Sequence, residues 1–511
     1  MLTLIDPLEH ARRQHANRIA VIDGERQLGF EELAVRCGRL GAALRAMGLE
    51  RGDRVAILAA NGHRFLEALY GVPANGMVLV PLNTRLAERE LGAIVEDSRP
   101  RILLTDREPG KLAGLVERVV AMPDAYEALV AGCAPTWDSD ISEDTIAALF
   151  YTGGTTAASK GVVLTHRNLI ANALHKTIAC SLGQDDRFLA VAAMFHVAGV
   201  APLVALSWLG ATIVTMPTFD AEACLDAVER HAITVMMPVP TMLAALVAAQ
   251  ERRSRDVKSL RMIGHAGSPI ANSAIEAAHR AFRSVELAQF YGATETASIV
   301  TCLRHEESLI GTALLGTCGR ATPGVSVRVV REDGTECEAG EVGEILVRGP
   351  NVMIGYWNQP EASAAALAGG WYHTGDLGCL REHGHLFVVD RKKDMIITGA
   401  ENVYCIEVEE ALLRHPAVVE AAVFGVPDAL WGEAVHAIVV VQNDRLLGAD
   451  TFALELRAHC RSYIAGYKVP KRIDVQAAAL PKSGPGKILK RALRDHYWKE
   501  AQSAASQGKA S

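Results

Sequence analysis

The segment Tyr151-Thr-Gly-Gly-Thr-Thr-Ala-Ala-Ser-Lys-Gly161 gathers residue types that hold polyphosphate. Gly153 and Gly154 let successive backbone N–H groups converge into an anion nest, which side chains bearing a Cβ would hinder. Thr152, Thr155 and Thr156 add hydroxyl donors, and Lys160 adds a point charge. Apolar runs at 146–151 and 162–164 flank the segment and read as strands, so the cradle sits on a strand–loop–strand unit. It is not a Walker A loop, because no glycine directly precedes Lys160 and no Ser or Thr directly follows it. A flexible hairpin tip rich in Gly and Thr is the plainer reading of the same residues.

Further motifs follow in order: Phe195-His-Val-Ala-Gly199, Tyr291-Gly-Ala-Thr-Glu-Thr296, Tyr372-His-Thr-Gly-Asp-Leu377, Asp390-Arg-Lys-Lys-Asp394 and Lys482-Ser-Gly-Pro-Gly-Lys487. Together with the phosphate loop they resemble the adenylate-forming superfamily, which holds acyl-CoA synthetases, peptide-synthetase adenylation domains and luciferases. The resemblance covers nearly the whole chain and favours the acyl-CoA synthetase/ligase branch. It implies a two-stage reaction using ATP (leaving AMP), Mg²⁺ and coenzyme A. A carboxylate attacks the α-phosphate of ATP to give an acyl-adenylate and pyrophosphate. A thiol then attacks the acyl carbon and expels AMP. Both stages build negative charge on oxygens, so positioned cations and donors should carry catalysis.

The resemblance assigns roles residue by residue. Lys487 would bridge the substrate carboxylate and the α-phosphate; outside its motif it would read as a surface lysine. Glu295 would bind Mg²⁺, an ion that needs only one or two protein carboxylates when a nucleotide supplies other ligands. Thr294 would contact the α-phosphate, and Tyr291 would stack on adenine, with Gly267-Ser268-Pro269 covering the other face. Asp376 would accept from both ribose hydroxyls, with Arg391 as a second ribose contact. Asp394 matches the hinge about which a small domain rotates between the half-reactions. His196 would line the acyl site, although a core histidine explains it equally well. The acyl pocket is expected from Val197, Ala198, Met237, His265, Ala266 and Gly292, and the CoA channel from Gly399, Ala400 and Glu401. Acetyl-activating relatives carry tryptophan at the position of Gly292, so glycine implies a deeper pocket that Gly292→Trp would shorten.

Departures from the family pattern bear on the first half-reaction. Gly153 stands where the pattern has serine, Ala157 where it has glycine, and Ser159 where it has proline. Pro485 replaces a Ser or Thr near Lys487, and Ala400 and Cys405 interrupt the pattern near the presumed pantetheine channel. The loop changes remove one donor and add one methyl where the β- and γ-phosphates should sit. They leave open a ligase that only converts a pre-formed adenylate to a thioester.

Composition agrees with a soluble, multidomain enzyme. The chain has 511 residues, 50% of them hydrophobic and 22% charged. A net charge of −7 argues against a general nucleic-acid binder. Ten cysteines without any C-x-x-C pair suggest free thiols in a reducing cytoplasm. The N-terminus shows no secretory pattern. The uncharged run 197–216 contains Gly199, Pro202 and Gly210 and ends β-branched, which predicts a buried helix and strand rather than a membrane span. His383 and His385 flank a glycine with no third ligand nearby and are not expected to hold metal.

Strand-like runs at 54–58, 77–81, 212–215 and 234–237 alternate with helical patterns such as 31–47 and 273–282. That alternation predicts layered α/β structure with mainly parallel sheets. From 325 the texture turns to short strands and Gly turns, and after 394 to a compact α+β pattern. The expected fold is therefore α/β. The resemblance implies that residues 1–393 form a large AMP- and acyl-binding domain with a β-rich subdomain at about 320–393, and that 394–511 form a small mobile α+β domain, whose tail is expected to fray.

The leading reading is an acyl-CoA synthetase for a medium or long aliphatic, aryl or polycyclic carboxylic acid. Alternatives are the thioesterification-only ligase, a stand-alone adenylation protein loading a carrier protein, a luciferase-like oxygenase and a non-catalytic acyl-nucleotide binder. The expected partners are a small carboxylic acid or its adenylate and CoA, with neither nucleic acid nor a membrane span, and with a homodimer left open.

Overall fold

The structure, a computed structural model, describes residues 2–152, 159–267, 270, 272–305, 314, 316–399, 401–428, 430–441, 449–482, 488–495 and 497–498. The tail 501–511, predicted to fray, lies outside them. In chain order the strands begin with β1 (Ile19–Asp23) and β2 (Arg26–Gly29). Next come β3 (Arg54–Leu58), β4 (Val78–Pro81), β5 (Ile102–Thr105), β6 (Arg118–Ala121), β7 (Ile146–Thr152) and β8 (Lys160–Thr165). Then follow β9 (Arg187–Ala190), β10 (Thr212–Thr215), β11 (Val235–Met236), β12 (Met262–His265), β13 (Glu286–Tyr291), β14 (Thr301–Leu303) and β15 (Arg320–Ala321). After them lie β16 (Ser326–Val330), β17 (Gly343–Arg348), β18 (Gly355–Tyr356), β19 (Tyr372–Leu380) and β20 (Leu386–Arg391). The last are β21 (Ile396–Thr398), β22 (Glu401–Val403), β23 (Val418–Asp428), β24 (Gly432–Val441) and β25 (Arg472–Gln476).

These residues cluster into two compact units. The first comprises Met1–Ser268, Glu276–Val327 and Val347–His373. It holds a seven-stranded sheet, β18-β8-β7-β4-β3-β5-β6, and a nine-stranded sheet, β15-β14-β13-β12-β11-β9-β10-β1-β2. In the seven-stranded sheet β7, β4, β3, β5 and β6 run parallel. In the nine-stranded sheet β13, β12, β11, β9, β10 and β1 run parallel. Strands such as β4 (VLVP) and β5 (ILLT) are apolar throughout and buried on both faces, as parallel strands covered by helices must be. The strand expected at 234–237 shortens to Val235–Met236, because Pro238 and Pro240 end its ladder.

Two helices position the centre of this unit. His166–Ala179 starts at a capping box: the Thr165 hydroxyl accepts from Asn168 N at 3.3 Å, and Asn168 Oδ1 accepts from Thr165 N at 2.9 Å. Val197–Leu209 is almost wholly apolar and buried, and it ends at Gly210 in the left-handed region (φ 72°). With β10 after it, the run 197–216 is the buried helix and strand that its composition implies.

The second unit comprises Pro269–Ile275, Arg328–Leu346 and Thr374–Ser511. Most of the four-stranded sheet β16-β17-β19-β20 falls in it, and so does all of the five-stranded sheet built on β22-β21-β24-β23, with β25 parallel to β24. Its core packs the Cys405–Leu413 and Ala449–Cys460 helices on β23 and β24 through Val408, Leu412, Val423, Val439 and Leu456. All ten cysteines of the chain are free. Among the described residues no helix is long and apolar enough to cross a membrane.

The loop between β9 and the Val197–Leu209 helix depends on one side chain. Asn61 Nδ2 donates to the carbonyls of Ala190 (3.2 Å) and Ala192 (3.0 Å), and Met194 N donates to Asn61 Oδ1 (2.8 Å). Asn61→Ala strips these buried groups of partners. It is expected to cost about 1–3 kcal/mol, read as a lowered urea midpoint at unchanged m-value.

Candidate active site

The phosphate-loop hairpin forms as its sequence implies. β7 and β8 pair antiparallel, with Thr152 opposite Lys160. Gly153, Gly154, Thr155 and Thr156, and Ala157 with them, lie outside the described residues. Gly161 is small for a packing reason: a Cβ there would come 2.9 Å from Tyr151 Cζ and 3.2 Å from Trp357 Cβ. Tyr151 is anchored by its hydroxyl, which donates to Asp97 Oδ2 at 2.5 Å.

Tyr356, which no motif singled out, links two of the predicted residues. Its hydroxyl donates to Glu295 Oε1 at 3.0 Å, while Lys160 Nζ sits 4.7 Å from the centre of its ring. Burial and the neighbouring Glu295 carboxylate raise the phenol pKa, so the tyrosine stays a neutral donor. β18 pairs with β8, setting Tyr356 opposite Val162, and Tyr356 N donates to Ser363 Oγ at 2.8 Å. Only the Gly355-Tyr-Trp357 aromatic pair hinted at it in the sequence.

Thr294 and Glu295 sit in the one-turn helix Thr294–Thr296, just past the end of β13 at Tyr291. Two amides converge on this turn. Asn172 Nδ2 donates to the carbonyls of Thr296 (3.3 Å) and Ile299 (2.9 Å), and Asn351 Nδ2 to the same pair at 2.9 and 3.1 Å. Met353 N donates to the Glu295 carbonyl at 2.8 Å. Ala297 (φ 53°) and Ser298 (φ 121°) follow at positive φ, a strained geometry held by these contacts.

This turn also constrains Gly292. A Cβ at Gly292 would lie 1.8 Å from the Ser298 carbonyl oxygen and 3.0 Å from Ile299 Cα, all backbone. The glycine permits close approach of two backbone segments, so Gly292→Trp would displace backbone as well as shorten any pocket there.

The other acyl candidates gather near the carboxyl edge of the parallel strands. His265 ends β12, Met237 directly follows β11, and both are buried, as is Val197. Ala266 is half-buried and Ala198 exposed, so Ala198 is not a core wall. Gly267 bends the chain at φ 97°, whereas Ser268 and Pro269 lie outside the described residues. His196 precedes the Val197–Leu209 helix. Its Nε2 is buried without a partner, and burial with Arg85 nearby pulls its pKa down to about 4. Gly199 of the same motif is required, since a Cβ would meet the Ala193 carbonyl at 2.2 Å.

In the second unit Asp376 and Arg391 face each other across β19 and β20, with Nε 3.5 Å from Oδ1. Asp376 N donates to Thr374 Oγ1 at 3.0 Å. Asp394 lies between β20 and β21; its N–H donates to the Arg391 carbonyl (2.9 Å) and its own carbonyl accepts from Cys405 Sγ (3.0 Å). Gly399, at φ 59°, donates to the Trp431 carbonyl, and a Cβ there would strike the Trp431 ring at 2.6 Å. Glu401 opens β22 exposed, and Ala400 lies outside the described residues. Lys487 does too, but the ends of its segment are joined. Lys482 bridges Ile488, and Leu489 N donates to the Pro481 carbonyl at 2.8 Å. His383 lies in a turn at φ 65°, and no group of His, Cys, Asp or Glu able to hold a metal occurs among the described residues.

Residues 8–357 match the AMP-binding enzyme family, and 407–487 match the AMP-binding enzyme C-terminal domain. The chain belongs to the AMP-binding enzyme family. Within this adenylate-forming superfamily it falls on the acid–thiol ligase branch. It is 39% identical to a feruloyl-CoA synthase of Amycolatopsis sp over 497 residues, covering 96% of this chain and 98% of that one. It is 35% identical to the fatty acid–[acyl-carrier-protein] ligase ScoC of Streptomyces coeruleorubidus, with 96% and 95% covered. Among solved structures it resembles the o-succinylbenzoate CoA synthetase of Bacillus subtilis. In complex with its acyl-adenylate intermediate that enzyme gives TM-score 0.86 at 33% identity, with 96% and 98% covered. In complex with ATP and magnesium ion it gives 0.85 at 32%, with 96% and 99% covered. The mixed α/β fold predicted for the AMP-binding enzyme is the one found.

In this AMP-binding enzyme Gly292→Ala is expected to destabilise by about 1–3 kcal/mol, because backbone, not a side chain, must give way. An unchanged melting temperature would show that the 292 and 298 segments part freely.

Proposed function

We propose that this protein is an acyl-CoA synthetase that activates an aryl carboxylic acid through an acyl-adenylate to its CoA thioester. The observation that carries this reading is the linkage of Lys160, at the root of the phosphate loop, through Tyr356 to Glu295. A cation over the ring and a carboxylate at the hydroxyl of one neutral phenol suit a nucleoside triphosphate, whose oxygens need the cation and whose metal would need the carboxylate. The aryl class draws support from relatives named for ferulate and o-succinylbenzoate.

Glu295 is a lone carboxylate without a protein-built cage around it among the described residues. That donor set fits Mg²⁺ carried on nucleotide oxygens, an ion that supplies charge neutralisation of the phosphates. Thr152, Gly153, Gly154, Thr155, Thr156 and Lys160 hold the β- and γ-phosphates, and Thr294 the α-phosphate. Tyr291 and Gly267-Ser268-Pro269 enclose adenine, and Asp376 with Arg391 takes the ribose. Lys487 orients the attacking carboxylate oxygen, which bonds to the α-phosphorus as pyrophosphate leaves. The CoA thiolate, reaching the site past Gly399, Ala400 and Glu401, then bonds to the acyl carbon and AMP departs. Because His196 is held neutral, it lines the acyl site without adding charge. We assign residues 1–393 and 394–511 to two domains with the hinge at Asp394, whose turn is pinned at both its N–H and its carbonyl. Ten free thiols support a reducing, cytoplasmic setting.

Two experiments test the assignment. Pyrophosphate release from ATP and acid, and thioester formation from synthetic adenylate and CoA, are measured separately in wild type and Lys487→Ala. The variant should lose about 10²–10³-fold in the first and little in the second. Equal loss in both would remove Lys487 from its role. A wild type that uses the adenylate but releases no pyrophosphate would favour the thioesterification-only ligase suggested by Gly153 and Ala157, and transfer to a carrier protein instead of CoA would favour the loading reading. Tyr356→Phe removes one hydrogen bond to a charged group, worth about 1.5–3 kcal/mol. It should lower adenylation about tenfold or more while thioester formation from the adenylate persists.

A further inference from the structure

Lys176, in the last turn of the His166–Ala179 helix, is 3% exposed yet has no carboxylate partner among the described residues. Among the described residues the one acceptor within hydrogen-bonding reach of its Nζ is the Met237 thioether, at 4.0 Å. Its other close neighbour is the Phe290 ring, whose centre lies 5.0 Å away. The nearest titratable groups are the Cys180 and Cys302 thiols. Burial pushes the Cys180 thiol up to about 11, so it supplies no anion at neutral pH. Burial also draws the lysine's own pKa below its usual value, the mark of an amine that lacks compensation.

An ammonium held against sulfur and an aromatic face is poorly compensated, and nothing in the helix requires a lysine there. Its surroundings place it under the carboxyl edge of the parallel sheet, the edge at which such sheets bind ligands. Met237 directly follows β11, and Phe290 is the penultimate residue of β13. Between them, on β12, Gly264 leaves room for both: a Cβ there would lie 2.5 Å from the Phe290 ring and 3.4 Å from Met237 Cγ. Phe290 and Gly264 share one face of the sheet, the face from which Lys176 approaches, whereas Tyr291 alternates to the other.

We propose that Lys176 sets acyl specificity by pairing its ammonium with an anionic oxygen at the far end of the substrate, so that the preferred acid carries a carboxylate or phenolate opposite the carboxylate being activated. The inference rests on the acyl site proposed above. The apolar walls, Met237 and Phe290, take the body of the acid, and the cation beneath them takes its distal oxygen. Such a ligand supplies the counter-charge that the described residues do not.

The test compares kcat/KM for thioester formation with benzoate and cinnamate, each unsubstituted, 4-hydroxylated or 4-carboxylated. Wild type should favour at least one substituted acid over its parent by tenfold or more. Preference for the 4-carboxyl acid identifies a carboxylate as the distal group, and preference for the 4-hydroxyl acid a phenolic oxygen. In Lys176→Met, close in volume and uncharged, the ratio of substituted to parent acid should fall at least tenfold. Lys176→Gln, checked by its melting curve, serves the same comparison if the methionine variant does not fold. Wild-type turnover without a preference, or a variant that lowers all acids alike, would overturn the proposal and leave the synthetase reading standing. Failure to form a thioester from any acid would overturn both.

Discussion

Parallel strand pairing is the constraint on which the first unit depends. Two parallel neighbours cannot be joined by a hairpin, so each step from β3 to β4 or from β9 to β10 needs a crossover, here the His63–Gly71 and Val197–Leu209 helices. Those crossovers cover the sheet faces, which is why β4, β5 and β10 are buried at every residue. They also bring the carboxyl ends of each sheet's parallel strands to one edge. Residues as distant in sequence as Met237, His265 and Tyr291 become neighbours because each ends, or directly follows, a strand of that array.

At this edge the protein keeps backbone in geometries that cost energy. Ser298 at φ 121° and Ala297 at φ 53° are sustained by the two amides of Asn172 and Asn351, which share the same two carbonyl acceptors. Neither Oδ1 finds a donor, so both asparagines serve the turn with their amino ends alone. The arrangement makes sense if the turn must present Glu295 in one orientation, since Tyr356 then holds the carboxylate from the other side. Strain and its support sit together where the candidate metal carboxylate is displayed.

Much of this was legible in the sequence because it is local. The β7–β8 hairpin and the buried 197–209 helix with the strand after it follow from spacing and composition. Family membership was legible through ordered motifs for the same reason. What was not legible depends on residues far apart in the chain. Tyr356 meets Glu295 across 61 positions, and Lys176 meets Met237 across another 61. Gly292 shows the limit from the other side. Its lack of a side chain is required by the Ser298 carbonyl, a contact that the resemblance did not announce. A glycine states that something is close and leaves open what that something is.

Burial also fixes the charge of three histidines. Burial draws the imidazoles of His175, His196 and His265 down to about 4, so at neutral pH all three are uncharged. Each also has a ring nitrogen buried without a partner. Neutral imidazoles in apolar surroundings suit the flat, weakly polar body of an aryl acid better than a polar chain, whose extra donors would have to be desolvated. Lys176 is by contrast a buried amine, set against the Met237 thioether and the Phe290 ring. A site whose walls are neutral discriminates poorly between apolar shapes, because a methylene more or less changes affinity only modestly. One fixed donor discriminates strongly, since any ligand that fails to satisfy it leaves a buried polar group uncompensated. On the proposed reading, selectivity would rest less on the volume of the pocket than on which oxygen reaches that amine.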